Sequence, residues 1–136
     1  MNNTTLMQEQ ILDLIEQFCD VLRTNFQSYS IARHQEYITK GENVDYHQKC
    51  IDELSMGEGL YNFTYDKARK YAKIVMHTPE GQRSAHAFVD LSTGDVYKSA
   101  SWKAPAKNGV RFNLADEKSR QEMYQRADWA GGYLYK

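Results

Sequence analysis

Between Asp95 and Asp116 the chain carries no acidic residue, and four cations, Lys98, Lys103, Lys107 and Arg111, alternate with the rings of Tyr97, Trp102 and Phe112. Long cations donate hydrogen bonds to anionic oxygens, and aromatic faces stack on flat rings. The tract therefore suits phosphate, a nucleotide or nucleic acid. Pro105 and Gly109 break regular structure within it, so it reads as a loop, and loops on rigid scaffolds often carry binding residues. The expected ligand-binding set is Tyr97, Lys98, Trp102, Lys103, Lys107 and Arg111. Arg111 and Lys107 would hold phosphate, and Trp102 or Tyr97 would stack on a base. Trp102, after a strand and before Pro105, is expected to be a buried anchor, and Arg111 to be exposed or ligand-facing. A plainer arrangement uses the same residues: Trp102 and Phe112 dock into the core while the cations project into water.

Other reactive side chains form no motif. His47 and Cys50 stand at a spacing that metal sites use, but two ligands do not make a site. His77 and His86 fall on neighbouring strands, either as a catalytic pair or as ordinary sheet histidines. No Gly-rich phosphate loop, His-Glu-x-x-His, Cys-x-x-Cys or Gly-x-Ser-x-Gly is present. With no nucleophile, base and anion hole in one constellation, the reading leans away from an enzyme and implies no cofactor.

The 136 residues suit a single domain, residues 1–136, and the 41% hydrophobic and 26% charged content is that of a globular chain. A net charge of −1 argues against a general nucleic-acid coat, so anion binding should be local and shaped. Ten Tyr against five Phe suit half-wet surfaces as well as cores. Cys19 and Cys50 read as free thiols in a reducing cytoplasm. The polar start, Met1-Asn2-Asn3-Thr4-Thr5, does not resemble a signal peptide, and no apolar run approaches a membrane span.

The elements that must position the tract give an α+β fold: an N-terminal amphipathic helix, a four-stranded antiparallel meander and a C-terminal helix. Thr4 or Thr5 is expected to open the first helix, with Gln8 or Glu9 as capping-box partner. Ile11, Ile15, Phe18, Leu22 and Phe26 share its apolar face, and Glu9, Asp13, Glu16 and Asp20 its outer one. That acidic stripe reads as a solvated face, with mimicry of a phosphate backbone the sharper alternative. Residues 28–59 are poorly legible, with short helices over 31–40 and 45–56. Strands are expected over 60–65, 71–78, 84–91 and 95–102, with turns at Pro79-Glu80-Gly81 and Ser92-Thr93-Gly94. If residue 75 sits opposite 86, Ile74, Met76, Ala85, Ala87, Val89 and Leu91 share one face. Lys73, Val75, His77, His86, Phe88 and Tyr97 then share the other, which is either covered by a helix or an exposed stacking platform. A second helix over 115–128, with Asn113 as cap, precedes a short final strand.

The segments Phe88 to Leu114 and Asp128 to Tyr135 resemble a family of small hypothetical proteins of tailed bacteriophages. The resemblance rests on Phe88-Val89-Asp90, Thr93-Gly94-Asp95-Val96-Tyr97-Lys98, Ala100-Ser101-Trp102-Lys103-Ala104-Pro105-Ala106-Lys107, Arg111-Phe112-Asn113-Leu114 and Trp129-Ala130-Gly131-Gly132-Tyr133-Leu134-Tyr135. It implies a viral accessory protein of the host bacterial cytoplasm and assigns no activity. Three functions are carried forward: binding a phosphorylated small molecule so as to counter host defence, binding nucleic acid in phage replication or transcription, or contacting a host or virion protein. Self-association into a homo-oligomer belongs with the third, and no membrane partner is expected.

Overall fold

The structure, a computed structural model, describes residues 3–135. Helix α1 (Asn3–Thr39) is continuous, because no Gly or Pro interrupts it before Gly41. The expected helix over 31–40 is thus its last turns. Thr4 and Thr5 lie within the helix rather than opening it, and the residues before Asn3 lie outside those described. The chain reverses through Gly41 (φ 76°) and Asn43 (φ 46°) into α2 (Val44–Ser55). The two helices meet where the His47 ring stacks on Tyr37, 4.5 Å between centroids and 5° from parallel.

Five antiparallel strands follow in spatial order β1-β2-β3-β4-β5. They are β1 (Asn62–Lys67), β2 (Tyr71–His77), β3 (Arg83–Asp90), β4 (Asp95–Lys98) and β5 (Phe112–Asn113). The meander therefore has a short fifth strand that the sequence did not suggest. The β3–β4 turn is tight because the Asp90 carboxylate accepts from both the N–H and the hydroxyl of Ser92. Gly94, at φ +82°, passes so close to Ala115 that a Cβ would meet its backbone nitrogen at 3.0 Å.

One sheet face carries the core. Ile11, Ile15, Phe18, Cys19 and Leu22 of α1 pack on Phe63, Ala72, Ile74, Ala87, Val89 and Val96, joined by Met123 of α3 (Glu117–Arg126) and by Tyr133 and Leu134. The acidic stripe, Glu9, Asp13, Glu16 and Asp20, is exposed along α1, with Glu16 and Asp20 beside Thr64 and Tyr65 of β1. Helix α3 starts later than expected and is capped by Asp116, which accepts from Ser119 N–H, while Asn113 caps the turn before it by accepting from Asp116 N–H. The expected final strand is a 3₁₀ turn, Gly132–Leu134.

The β2–β3 register holds where Ile74 faces Ala87 and then slips, so that Val75 faces Ala85 and His86 becomes the extra residue of a bulge. The slip moves Ala85 and Arg83 to the outer face. It also turns His86 inward, against Phe18, Phe63 and Tyr133.

Candidate functional site

The outer sheet face is set by alternation from the buried Ile74–Ala87 pair: Tyr71, Lys73, Val75 and His77 of β2, Phe88 of β3 and Tyr97 of β4. Helices α1 and α3 both pack on the opposite face. What crosses the outer one is the basic tract itself. Strand β4 ends at Lys98, short of Trp102, because Ser99 bridges to Pro105 and the N–H groups of Ala100 and Ser101 both donate to Ala104 O. Ser99 also donates its hydroxyl to Ala85 O, at 2.9 Å, holding the loop to β3.

From there Trp102 reaches across β3 to the β2 side chain Lys73, whose Nζ lies 3.6 Å from the indole centroid. Arg83 approaches the same ring, with Cζ at 5.6 Å. The indole stays 38% exposed, so Trp102 is a surface ring under two cations and not the buried anchor expected. Nearby, Tyr71 meets Phe88 and Tyr97 edge-on, each at 6.2 Å, and Lys70 Nζ lies 5.3 Å from the Tyr71 centroid. Cations over ring faces are attracted by the ring quadrupole, which holds them without cancelling their charge.

Lys70 stands in the field of the buried Asp90 carboxylate, and among the described residues no cation of this face forms an ion pair. Among the described residues the ion pairs are Arg23–Asp20, Lys49–Glu53 and Arg126–Glu122, so none of Lys70, Lys73 or Arg83 has a carboxylate oxygen within 4.0 Å. Asp66 is the cross-strand partner of Lys73 but does not pair with it. Asp95 is engaged by the Asn113 amide at 2.8 Å. Burial, and then the Asp95 carboxylate, push the Tyr97 phenol above its ordinary range, so the ring stays neutral.

The expected site residues separate into three places. Tyr97 and Trp102 come together on the outer face. Lys103 and Lys107 are exposed along the loop. Lys98 and Arg111 serve the C-terminal segment: Lys98 Nζ lies 4.7 Å over the Tyr135 ring, and Arg111 is buried. Its guanidinium donates to Leu134 O (2.5 Å), Gly109 O (2.8 Å) and Asn108 Oδ1 (3.2 Å). Arg111 is thus a structural tie that fastens Leu134 O of the C-terminal segment to the loop at Asn108 and Gly109.

Four residues of the face, Lys70, Tyr71, Lys73 and Arg83, were missing from the expected ligand-binding set. Lys70 and Tyr71 stand beside Lys73 in sequence, and alternation alone puts Tyr71 with it. Arg83 was hidden by the bulge, since an unbroken register puts it on the core face.

The histidines are apart. His77 Nε2 lies 2.8 Å from Thr64 Oγ1, while His86 Nε2 lies 2.8 Å from Tyr133 Oη. Burial drives the His86 pKa down to about 4, against the opposing field of Asp128, so the ring is neutral and buried with its partner. His47 shares an Nδ1···Nδ1 hydrogen bond of 2.7 Å with His34. Among the described residues no three His, Cys, Asp or Glu side chains converge as metal ligands, and no helix is long and apolar enough to cross a membrane.

A family of unknown function, DUF7717, matches residues 1–136. The chain belongs to that family. No curated protein and no solved structure matches it. For this DUF7717 member, the function must be argued from the site.

Proposed function

We propose that this protein is a non-enzymatic binding protein that takes a phosphorylated, nucleotide-like ligand on the outer face of its sheet. The observation that carries the reading is the Trp102 indole, 38% exposed, with the Lys73 ammonium and the Arg83 guanidinium both against it and no carboxylate neutralising either. The two like charges at one ring repel each other, and an anion placed between them relieves that repulsion. A phosphate between Lys73 and Arg83, with its base on the indole, uses every group present. The resemblance to small tailed-phage proteins suggests a role in the host bacterial cytoplasm, where withholding a phosphorylated signal would blunt a host defence.

Thermal-shift screening against nucleotides, cyclic nucleotides and sugar phosphates tests this reading. A ligand at 100 times its Kd stabilises the fold by about 2.7 kcal/mol. The shift should vanish in Trp102→Ala and in Lys73→Ala/Arg83→Ala. No shift with any phosphorylated compound counts against the proposal, as does a shift that survives both variants.

A further inference from the structure

We infer that the outer face prefers a single-stranded nucleic acid, running from the Tyr71 ring to the Trp102 ring, over a free nucleotide. The inference rests on the reading of that face as a phosphate-and-base site. The face holds two stations of the same kind, each an exposed or half-buried ring with an ammonium group over it. Lys70 Nζ lies 5.3 Å from the Tyr71 centroid and Lys73 Nζ 3.6 Å from that of Trp102. Tyr71 and Lys73 project from the same side of β2, two residues and so about 7 Å apart along the strand.

A mononucleotide offers one base and one phosphate cluster, enough for one station. A strand repeats both groups and meets both stations at once. The shape of the face agrees with this. Small-ligand sites are concave and bury most of the ligand. Here helices α1 and α3 lie on the opposite face, Val75 and Phe88 are buried at the centre of the outer one, and Trp102 and Arg83 are exposed at its surface. Open sheets bearing aromatic rings are the usual platform for unstacked bases, whereas a duplex keeps its bases inside and offers the rings nothing to stack on. Charge also disfavours the other side of the sheet: the exposed carboxylates of Glu9, Asp13, Glu16 and Asp20 stand on α1, which packs on the opposite face, and repel phosphate along that helix.

The test is titration of the full chain with fluorescein-labelled oligo-dT of two, four and eight nucleotides, and with thymidine monophosphate as competitor. Affinity should rise at least tenfold from the mononucleotide to the tetranucleotide, and should fall with salt by about 0.7 log units per decade for each phosphate engaged. Tyr71→Ala should abolish the gain with length, and Lys70→Ala, which removes an exposed side chain, should reduce it. Trp102→Ala should weaken mononucleotide and oligomer alike. Equal affinity for monomer and tetramer, an intact length dependence in Lys70→Ala, or equal binding of inorganic polyphosphate or duplex DNA overturns the inference. The first two of these leave the outer-face site standing. Failure of mononucleotide and oligomer alike removes both readings.

Discussion

Acidification should weaken this fold through one side chain, His86. The bulge drives its ring into the core, edge-on to Phe18 and Phe63, with Nε2 on the Tyr133 hydroxyl. Its pKa falls from 6.5 to about 4 because burial penalises the imidazolium. The folded state therefore holds fewer protons than the unfolded chain between these two values, and stability rises with pH across that window. The lowered folded pKa means that the contribution of His86 is fully present above about pH 6.5 and is lost progressively down to pH 4. At 1.36 kcal/mol per pH unit, a window of about 2.5 units removes about 3 kcal/mol. For a domain of this size that is a sizeable fraction of total stability. Urea unfolding followed by circular dichroism at pH 7.0 and 4.5 measures the loss, and His86→Gln isolates it, because glutamine can still bond Tyr133 but does not titrate in this range. The wild-type chain should lose about 2.5 kcal/mol more than the variant between these pH values, because pH 4.5 stops short of the lower end of the window. Parallel pH profiles, or a wild-type chain that gains stability on acidification, would refute the reasoning.

Two substitutions should invert the expectation drawn from sequence. Arg111→Ala removes three hydrogen bonds from a charged donor and strands Leu134 O, so urea unfolding should show a loss of about 2–4 kcal/mol. Trp102→Ala removes a ring 38% exposed and should cost roughly 1 kcal/mol, well below the 3–5 typical of a core aromatic. A neutral Arg111→Ala, or a Trp102→Ala chain that does not fold, would contradict these assignments. The thiols should differ as well. Burial pushes Cys19 up to about 12, so iodoacetamide at pH 8 should label the half-exposed Cys50 in the native protein and leave Cys19 unmodified until urea is added. Equal labelling of the two without denaturant would show that the α1 face opens.

The α+β class, the apolar face of α1 and the pairing of Ile74 with Ala87 were legible because each follows from a strict period, 3.6 or 2. The mixed aromatic and basic face was legible for the same reason, through Lys73, Phe88 and Tyr97. Periodicity carries no information beyond the residue at which it breaks. The bulge at His86 exchanged the faces of Ala85 and His86 and brought Arg83 to the site, and only the thin apolar content of Arg83-Ser84-Ala85-His86 signals it. The uses of Trp102 and Arg111 were not legible because both depend on contacts far along the chain, with Lys73 and with Leu134. A run of cations in sequence does not distinguish a side chain that faces a ligand from one that fastens a tail.

The central claim is that the outer face of the sheet, and not the helical side, receives an anionic ligand. Titrating ¹⁵N-labelled protein with oligo-dT while recording amide and indole N–H chemical shifts tests it most directly. The Trp102 indole and the amides of Tyr71, Lys73, Arg83 and Tyr97 should shift together in saturable fashion, while those of Asp13, Glu16 and Asp20 stay fixed. Shifts confined to the apolar groove between α1 and α3, lined by Met7, Ile11, Leu14 and Arg120, or no shifts at saturating oligomer, would contradict it.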